Sequence, residues 1–225
     1  MSAVRRALAV LPVAAVAMAA SPAQAAEVKT LPCVPLVSGQ DTMPVVATGL
    51  TPGGFTTIYT TTAANPTPRI LTSGRLDGLG NFAIATRPPS FTKVDGHLET
   101  FTLIAHDKTN PAAPILATVP FQVVRFGMTR NPSPKRPRQP VTYTARGFTP
   151  GKTVYAHFRF KGVTRRTVSL GTAEGPCGIT TKRMRALPTR VRYGSWRAYI
   201  DQSKRFSVKT RPQWIDPFKI TRVLR

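Results

Sequence analysis

Acid is scarce in this sequence: nine Asp and Glu stand against 32 Lys and Arg, and there are only three His and two Cys. So few carboxylates and imidazoles leave little material for paired acid–base chemistry or a metal cage. Two cysteines cannot build the multi-bridge frameworks that hold small secreted domains together. Past residue 25 there is no long apolar run, so no transmembrane segment is expected in the rest of the chain. No segment there repeats apolar residues at the helical period of 3.6 either.

The first 25 residues do have a pattern. Arg5 and Arg6 precede an Ala/Val/Leu stretch from Ala7 to Ala20, and Ala23-Gln24-Ala25 supplies small-x-small cleavage chemistry. The reading is a signal peptide over 1–25 and an exported or cell-surface mature chain starting at Ala26. About 14 apolar residues are too few to span a bilayer.

Gly147-Phe-Thr-Pro-Gly-Lys-Thr153 superficially matches a phosphate-binding loop. Only three residues separate its first Gly from Gly-Lys-Thr where the loop needs four, and Pro150 has no N–H to offer a phosphate. The next residues, Val154 to Phe160, alternate at period two and read as a strand. A repeat supplies the better explanation. Pro44–Gly53 matches Val141–Gly151, Gly74–Gly78 matches Gly171–Gly175, and Val119–Val124 matches Asp216–Thr221, at offsets of 97 to 98. The first copy carries Gly54 where the second has Lys152. A turn that recurs without its Lys is structural, and Pro followed by Gly suits a type II turn, read here as a hairpin.

The expected architecture is all-β: two tandem immunoglobulin-like sandwiches over 26–126 and 141–225, joined by a Pro/Arg-rich lead-in over 127–140. Expected strands in the second copy are Val141–Arg146, Thr153–Phe160, Arg166–Leu170, Trp196–Asp201 and Phe218–Arg222. In the first they are Val45–Thr48, Thr56–Thr61, Phe82–Thr86, Phe101–His106 and Ala117–Val124. Alternation turns Val154, Ala156, Phe158, Phe160, Trp196, Ala198, Ile200, Phe218 and Ile220 inward. Tyr155, His157, Arg159, Arg197, Tyr199 and Lys219 fall on the opposite face.

Charge is unequally shared. Residues 27–126 carry seven bases and six acids, whereas 127–225 carry 23 bases against Glu174, Asp201 and Asp216. A field so one-sided recruits polyanions: a phosphate-bearing cell-wall polymer, an anionic lipid surface or extracellular nucleic acid. The candidate contacts are Arg159, Lys161, Arg197 and Lys219 on the sheet, with Lys135, Arg136 and Arg138 in the lead-in. Arginine suits phosphate because its planar fork binds two oxygens at once.

Enzymatic groupings are poor. Asp95 and Glu99 flank His97 in a Gly-containing loop, and His106-Asp107 has no third ligand at workable spacing. Asp77 and Glu174, at matching places in the repeat, read as turn residues that accept backbone N–H groups. No catalytic residue, metal ligand or cofactor is expected. The alternative left open is an enzyme, or an enzyme accessory, with a site between the two copies. Each copy holds one cysteine, Cys33 and Cys177. End-to-end domains would keep them apart, so both are expected unpaired.

The strand, Gly-Phe-Thr-Pro-Gly turn, alternating strand and closing strand resemble exported bacterial immunoglobulin-like domains in tandem. Gly175-Pro-Cys-Gly178, Tyr193-Gly-Ser-Trp196 and Asp201–Phe206 also resemble secreted actinobacterial proteins. The resemblance covers most of the mature chain and implies a fold, with no catalytic residues. Neither copy has the Cys–Trp–Cys arrangement of antibody domains.

Overall fold

A computed structural model describes residues 26–93, 96–110, 118–133, 136–187 and 192–221. The signal segment, Asp95 and Lys135 therefore lie outside the described residues. Among these residues the chain is all strand and connection, with no helix.

In the first half, β1 (Glu27–Thr30), β3 (Met43–Thr48) and β6 (Phe82–Thr86) form one sheet in the order β1-β3-β6. The other runs β2 (Cys33–Leu36), β8 (Thr118–Arg125), β7 (Leu98–Asp107), β4 (Phe55–Thr62), β5 (Arg69–Arg75). In the second half, β9 (Gly127–Asn131), β10 (Pro140–Arg146) and β13 (Thr180–Arg185) form a sheet in the order β13-β10-β9. The other runs β12 (Val163–Thr172), β11 (Thr153–Phe160), β14 (Gly194–Asp201), β15 (Trp214–Ile220). Strand for strand the halves correspond, except that β2, which pairs in parallel with β8, has no counterpart in the second. Each pair of sheets closes over its own core. One is built on Val28, Met43, Val45, Ile58, Leu103, Phe121 and Val123, the other on Tyr143, Val154, Phe158, Trp196, Ile200 and Ile220.

Every inward residue expected in the second half is buried or half-buried. Alternation carried that information because one face of each strand has to leave water. The strands it missed are short, exposed or interrupted. β5 and β13 show mostly polar faces, and Pro217 masked the start of β15. The lead-in needs correction. Gly127–Asn131 is not linker but β9, paired with β10 from Arg146↔Gly127 to Thr142↔Asn131, and Phe126 already belongs to the second core.

The repeated turn is also corrected in part. Gly54 N–H bonds the Thr51 carbonyl at 3.0 Å and Lys152 N–H the Thr149 carbonyl at 3.4 Å, with Gly53 and Gly151 at φ of 68° and 77°. Pro then a left-handed Gly inside that bond is the type II arrangement expected. It does not close a hairpin, however. β3 and β4 lie in different sheets, as do β10 and β11, so the turn is a corner carrying the chain across the sandwich. A second corner locks it: Leu50 N–H bonds Gly80 and Gly53 N–H bonds Asp77, just as Phe148 bonds Gly178 and Gly151 bonds Ala173. Asp77 behaves as expected, its carboxylate accepting Leu79 and Asn81 N–H groups at 2.8 Å. Glu174 instead makes its link through the main chain, exchanging two hydrogen bonds with Ile179.

This corner yields a contrast between two glycines. A Cβ on Gly178 (φ +53°) would collide with the Phe148 carbonyl, whereas one on Gly151 (φ +77°) meets nothing within 4 Å. Gly151→Ala should cost about 1 kcal/mol from its left-handed backbone alone. Gly178→Ala should cost roughly 2 kcal/mol more, since backbone has to move. Urea unfolding of the two variants in parallel measures the difference, and equal losses would refute the close-approach explanation.

The halves are covalently joined. Cys33 and Cys177 form a disulfide with Cα atoms 5.2 Å apart, so the expectation of two unpaired thiols is wrong. β2 runs beside β8 toward the junction, with Leu36 opposite Arg125 and Cys33 opposite Gln122, three pairs back, where it packs with Val124 and Cys177. Cys177 sits in the corner loop at the facing end of the second half. Val124 and Ile179 pack around the bond.

Candidate functional site

The outward side of the β11-β14-β15 sheet carries an open groove of about 880 Å³. It is lined by Arg159, Lys161, Arg197, Lys219, Tyr193 and Phe218, among others. The four sheet cations expected from the sequence thus come together on one surface. Arg136 and Arg138 are exposed but do not line it, and Lys135 falls outside the described residues.

Local geometry explains each position. Phe158, Phe160, Trp196 and Ala198 face the core, so Arg159 and Arg197 between them face outward. The register then sets these two arginines directly opposite each other. Like charges facing across a strand pair are unfavourable, and no fold needs them there. Lys161 occupies the two-residue turn Lys161-Gly162 between β11 and β12, with both residues at positive φ (47° and 78°). Such a turn matches the strand twist and thrusts its first side chain outward. Lys219 stands beside Ser195 on β15. Trp196, 1% exposed, packs into the core beneath the groove, anchored by its indole N–H to the Arg192 carbonyl at 2.9 Å; Tyr193, 51% exposed, rises at the rim.

Arg159 differs from its neighbours. Its guanidinium lies 4.2 Å from the Phe206 ring centroid and 5.4 Å from that of Tyr199, and it donates to the Gly162 carbonyl. That leaves Lys161, Arg197 and Lys219 as groove cations with no hydrogen bond or ion pair among the described residues.

Phe206 belongs to a feature that the sequence did not disclose. Residues 202–213 form a strap between β14 and β15 that lies over one end of the outer face. His157 and Tyr199, expected on an open face, are consequently buried. His157 Nε2 lies 3.2 Å from Asp201 Oδ1 and 3.1 Å from the Ser203 carbonyl. Two acceptors there require a proton on Nε2, while Nδ1 pairs with the Thr167 hydroxyl at 2.9 Å. Asp201 also accepts Ser203 N–H at 2.8 Å and Gln213 Nε2 at 2.9 Å, tying the two ends of the strap together. Burial alone would raise the Asp201 carboxyl; the His157, Ser203 and Gln213 bonds outweigh it and hold it below its ordinary value. Asp201 is 44 residues from His157 in the chain, a separation that local reading could not bridge.

The three acids of the second half are thus located. Asp201 is internal, and Asp216 is gripped by Arg130 through contacts of 2.7 and 2.9 Å. Burial raises the Asp216 carboxyl and Arg130 offsets part of that. Glu174 lies at the far corner, so no carboxylate lines the groove.

Other candidates dissolve into structure. Asp107 accepts Thr51 and Thr109 N–H groups at 2.9 Å and holds the first corner, while Glu99 accepts Thr92 N–H at 2.7 Å. Among the described residues, no three His, Cys, Asp or Glu side chains gather as a metal site. No helix among them is long and apolar enough to cross a membrane.

No protein-family model matches the chain, and no curated protein does. Among solved structures, a tetra-tandem repeat from the extending region of a large adhesion protein is similar over 87% of this chain and 48% of its own, at 10% identity and TM-score 0.30. Red sea bream transglutaminase is similar over 89% and 32%, at 9% identity and TM-score 0.29. Escherichia coli alpha-2-macroglobulin activated by porcine elastase is similar over 87% and 22%, at 11% identity and TM-score 0.38. The chain spans less than half the length of each.

Proposed function

We propose that this is an exported, non-enzymatic protein of two tandem immunoglobulin-like sandwiches, whose basic second half binds a phosphate-rich polymer or surface along the groove. The sandwich reading rests on strand order: β1-β3-β6 over β2-β8-β7-β4-β5 is the immunoglobulin arrangement, and the second half repeats it without β2. Export rests on the sequence of residues 1–25 and suits a disulfide-bonded chain.

One observation carries the binding reading. Arg159, Lys161, Arg197 and Lys219 converge in a groove with no acidic neighbour. Although Arg159 stacks on Phe206 and Tyr199, Arg197 and Lys219 make no hydrogen bond or ion pair among the described residues. Their mutual repulsion is relieved only by an anion. The alternative, an enzyme or accessory with a site between the halves, finds little support in the junction. The groove there is lined by Pro35, Val37, Phe148, Pro150, Pro176 and Pro212 around the joined cysteines, and its one hydroxyl, Thr149, has no His, Asp or Glu beside it in that lining to take its proton.

The test is charge reversal in the full chain. Arg197→Glu with Lys219→Glu should weaken binding to a polyphosphate or teichoic-type polymer about tenfold or more, and flatten log K against log salt by about two units. Arg136→Glu with Arg138→Glu makes the same change in net charge outside the groove and should cost less. Equal losses in the two variants would mean that bulk charge, and no particular site, does the binding.

A further inference from the structure

The second half has another basic surface, on the opposite side of its core. β13 pairs with β10 in a register that sets Arg183 beside Thr142 and Arg185 beside Pro140. Thr142 and Thr144 alternate with buried Val141, Tyr143 and Ala145, so they face out. Their neighbours Arg183 and Arg185 do the same, and both are exposed. Arg146, next on that side of β10, donates to the Thr129 hydroxyl at 3.0 Å. Thr142, Thr144 and Thr181 complete a floor of hydroxyls beside the arginines.

By the same alternation, the groove cations Arg159 and Arg197 point outward from the other sheet. Packed sheets lie about 10 Å apart before their outer side chains are counted. That is already beyond the roughly 8 Å over which charges feel each other at physiological salt. The two cation sets therefore act independently, and a thin phosphate chain lying in the groove cannot reach Arg183 and Arg185. No acid ion-pairs with the second set among the described residues: Asp201 is internal, Asp216 is held by Arg130, and Glu174 adjoins Thr180 and Thr181 at the corner, at the other end of β13 from Arg183 and Arg185.

We propose that Arg183, Arg185 and Arg146 form a second polyanion site, and that the protein bridges two strands of the same polymer. This rests on the groove being a polyanion site. Arginine forks take phosphate oxygens in pairs, and the threonine hydroxyls donate to those left over. A molecule with two such faces holds polymer strands side by side and gains by avidity what each face lacks alone.

Two probes separate the claims in the full chain. A labelled inorganic polyphosphate of about a dozen phosphates reports single-face affinity, and a polymer of several hundred reports bridging through light scattering. The wild type should bind the short chain, scatter strongly with the long one near charge balance, and clear again when polymer is in excess. Arg183→Glu with Arg185→Glu should leave short-chain affinity within about threefold but reduce scattering about tenfold. Arg75→Glu with Arg87→Glu, an identical charge change on exposed bases of the first half, should scatter like wild type. Unchanged scattering in the Arg183/Arg185 variant, or an equal drop in the Arg75/Arg87 variant, overturns the bridge. Short-chain binding by a wild type that never scatters overturns the bridge and leaves the groove standing. Failure to bind the short chain removes both.

Discussion

Replacing Cys33 and Cys177 together with serine is expected to lower the unfolding free energy by up to about 5 kcal/mol. The bond closes a loop of 144 residues, most of the described chain, so its removal releases a great deal of unfolded-state entropy. The loss should also change the form of unfolding. Joined halves share the Val124–Ile179 junction, whereas without the bond they hold together through non-covalent junction contacts and the single chain connection, and are freer to unfold separately. Urea titrations followed by tryptophan fluorescence, which reports the second half through Trp196 and Trp214, are to be compared with circular dichroism of the whole chain. Coincident curves in the native protein and separated curves in the double variant are the expected result. A non-reducing peptide map without a Cys33–Cys177 link would end the claim directly.

Removal of the Asp201 carboxylate is expected to cost about 3 kcal/mol and release the strap. Asp201→Ala takes the acceptor from the Ser203 N–H and from one Gln213 N–H and leaves the His157 Nε2–H only the Ser203 carbonyl. Each lost bond to a charged group is worth about 1.5 kcal/mol or more. Asp201→Asn keeps an acceptor and should lose less. Backbone amides of 202–213 should exchange with deuterium much faster in the Ala variant while those of β10 stay protected. Uniform acceleration across the second half would show that the network supports the whole sandwich instead of the strap.

The pH dependence has a definite sign. Asp201 is held below its ordinary value when folded, so its contribution is complete above the unfolded carboxylate range. It is then lost as pH falls through the lower folded value. Acid should therefore loosen the strap as Asp201 takes up its proton, at a lower pH than that at which the raised Asp216 does so. Arg159 would lose its Phe206 partner with it, and the groove would lose one wall.

The all-β character, the repeat and the inward residues were legible because each is a local pattern. Strand alternation has a period of two, turns carry their own chemistry in Pro and Gly, and a duplicated unit repeats both at a fixed offset. Val154, Phe158, Trp196 and Ile200 could be placed in the core from that periodicity alone. The charge imbalance was legible for the same reason: it is a count along the chain.

Contacts between distant residues were not. Alternation assigns a face to Arg159, Arg197 and Lys219 but no register, and register brings them into one groove. His157 was placed on the correct side of its strand, yet only the folded strap covers it and supplies Asp201. The corner turn looked like a hairpin because Thr-Pro-Gly chemistry is the same whether the next strand returns to its own sheet or crosses to the other. The cysteines were misjudged for a related reason. Sequence separation says nothing about the angle between two sandwiches, and that angle, decided by β2 and the junction around Val124, brings the two Cα atoms within bonding reach.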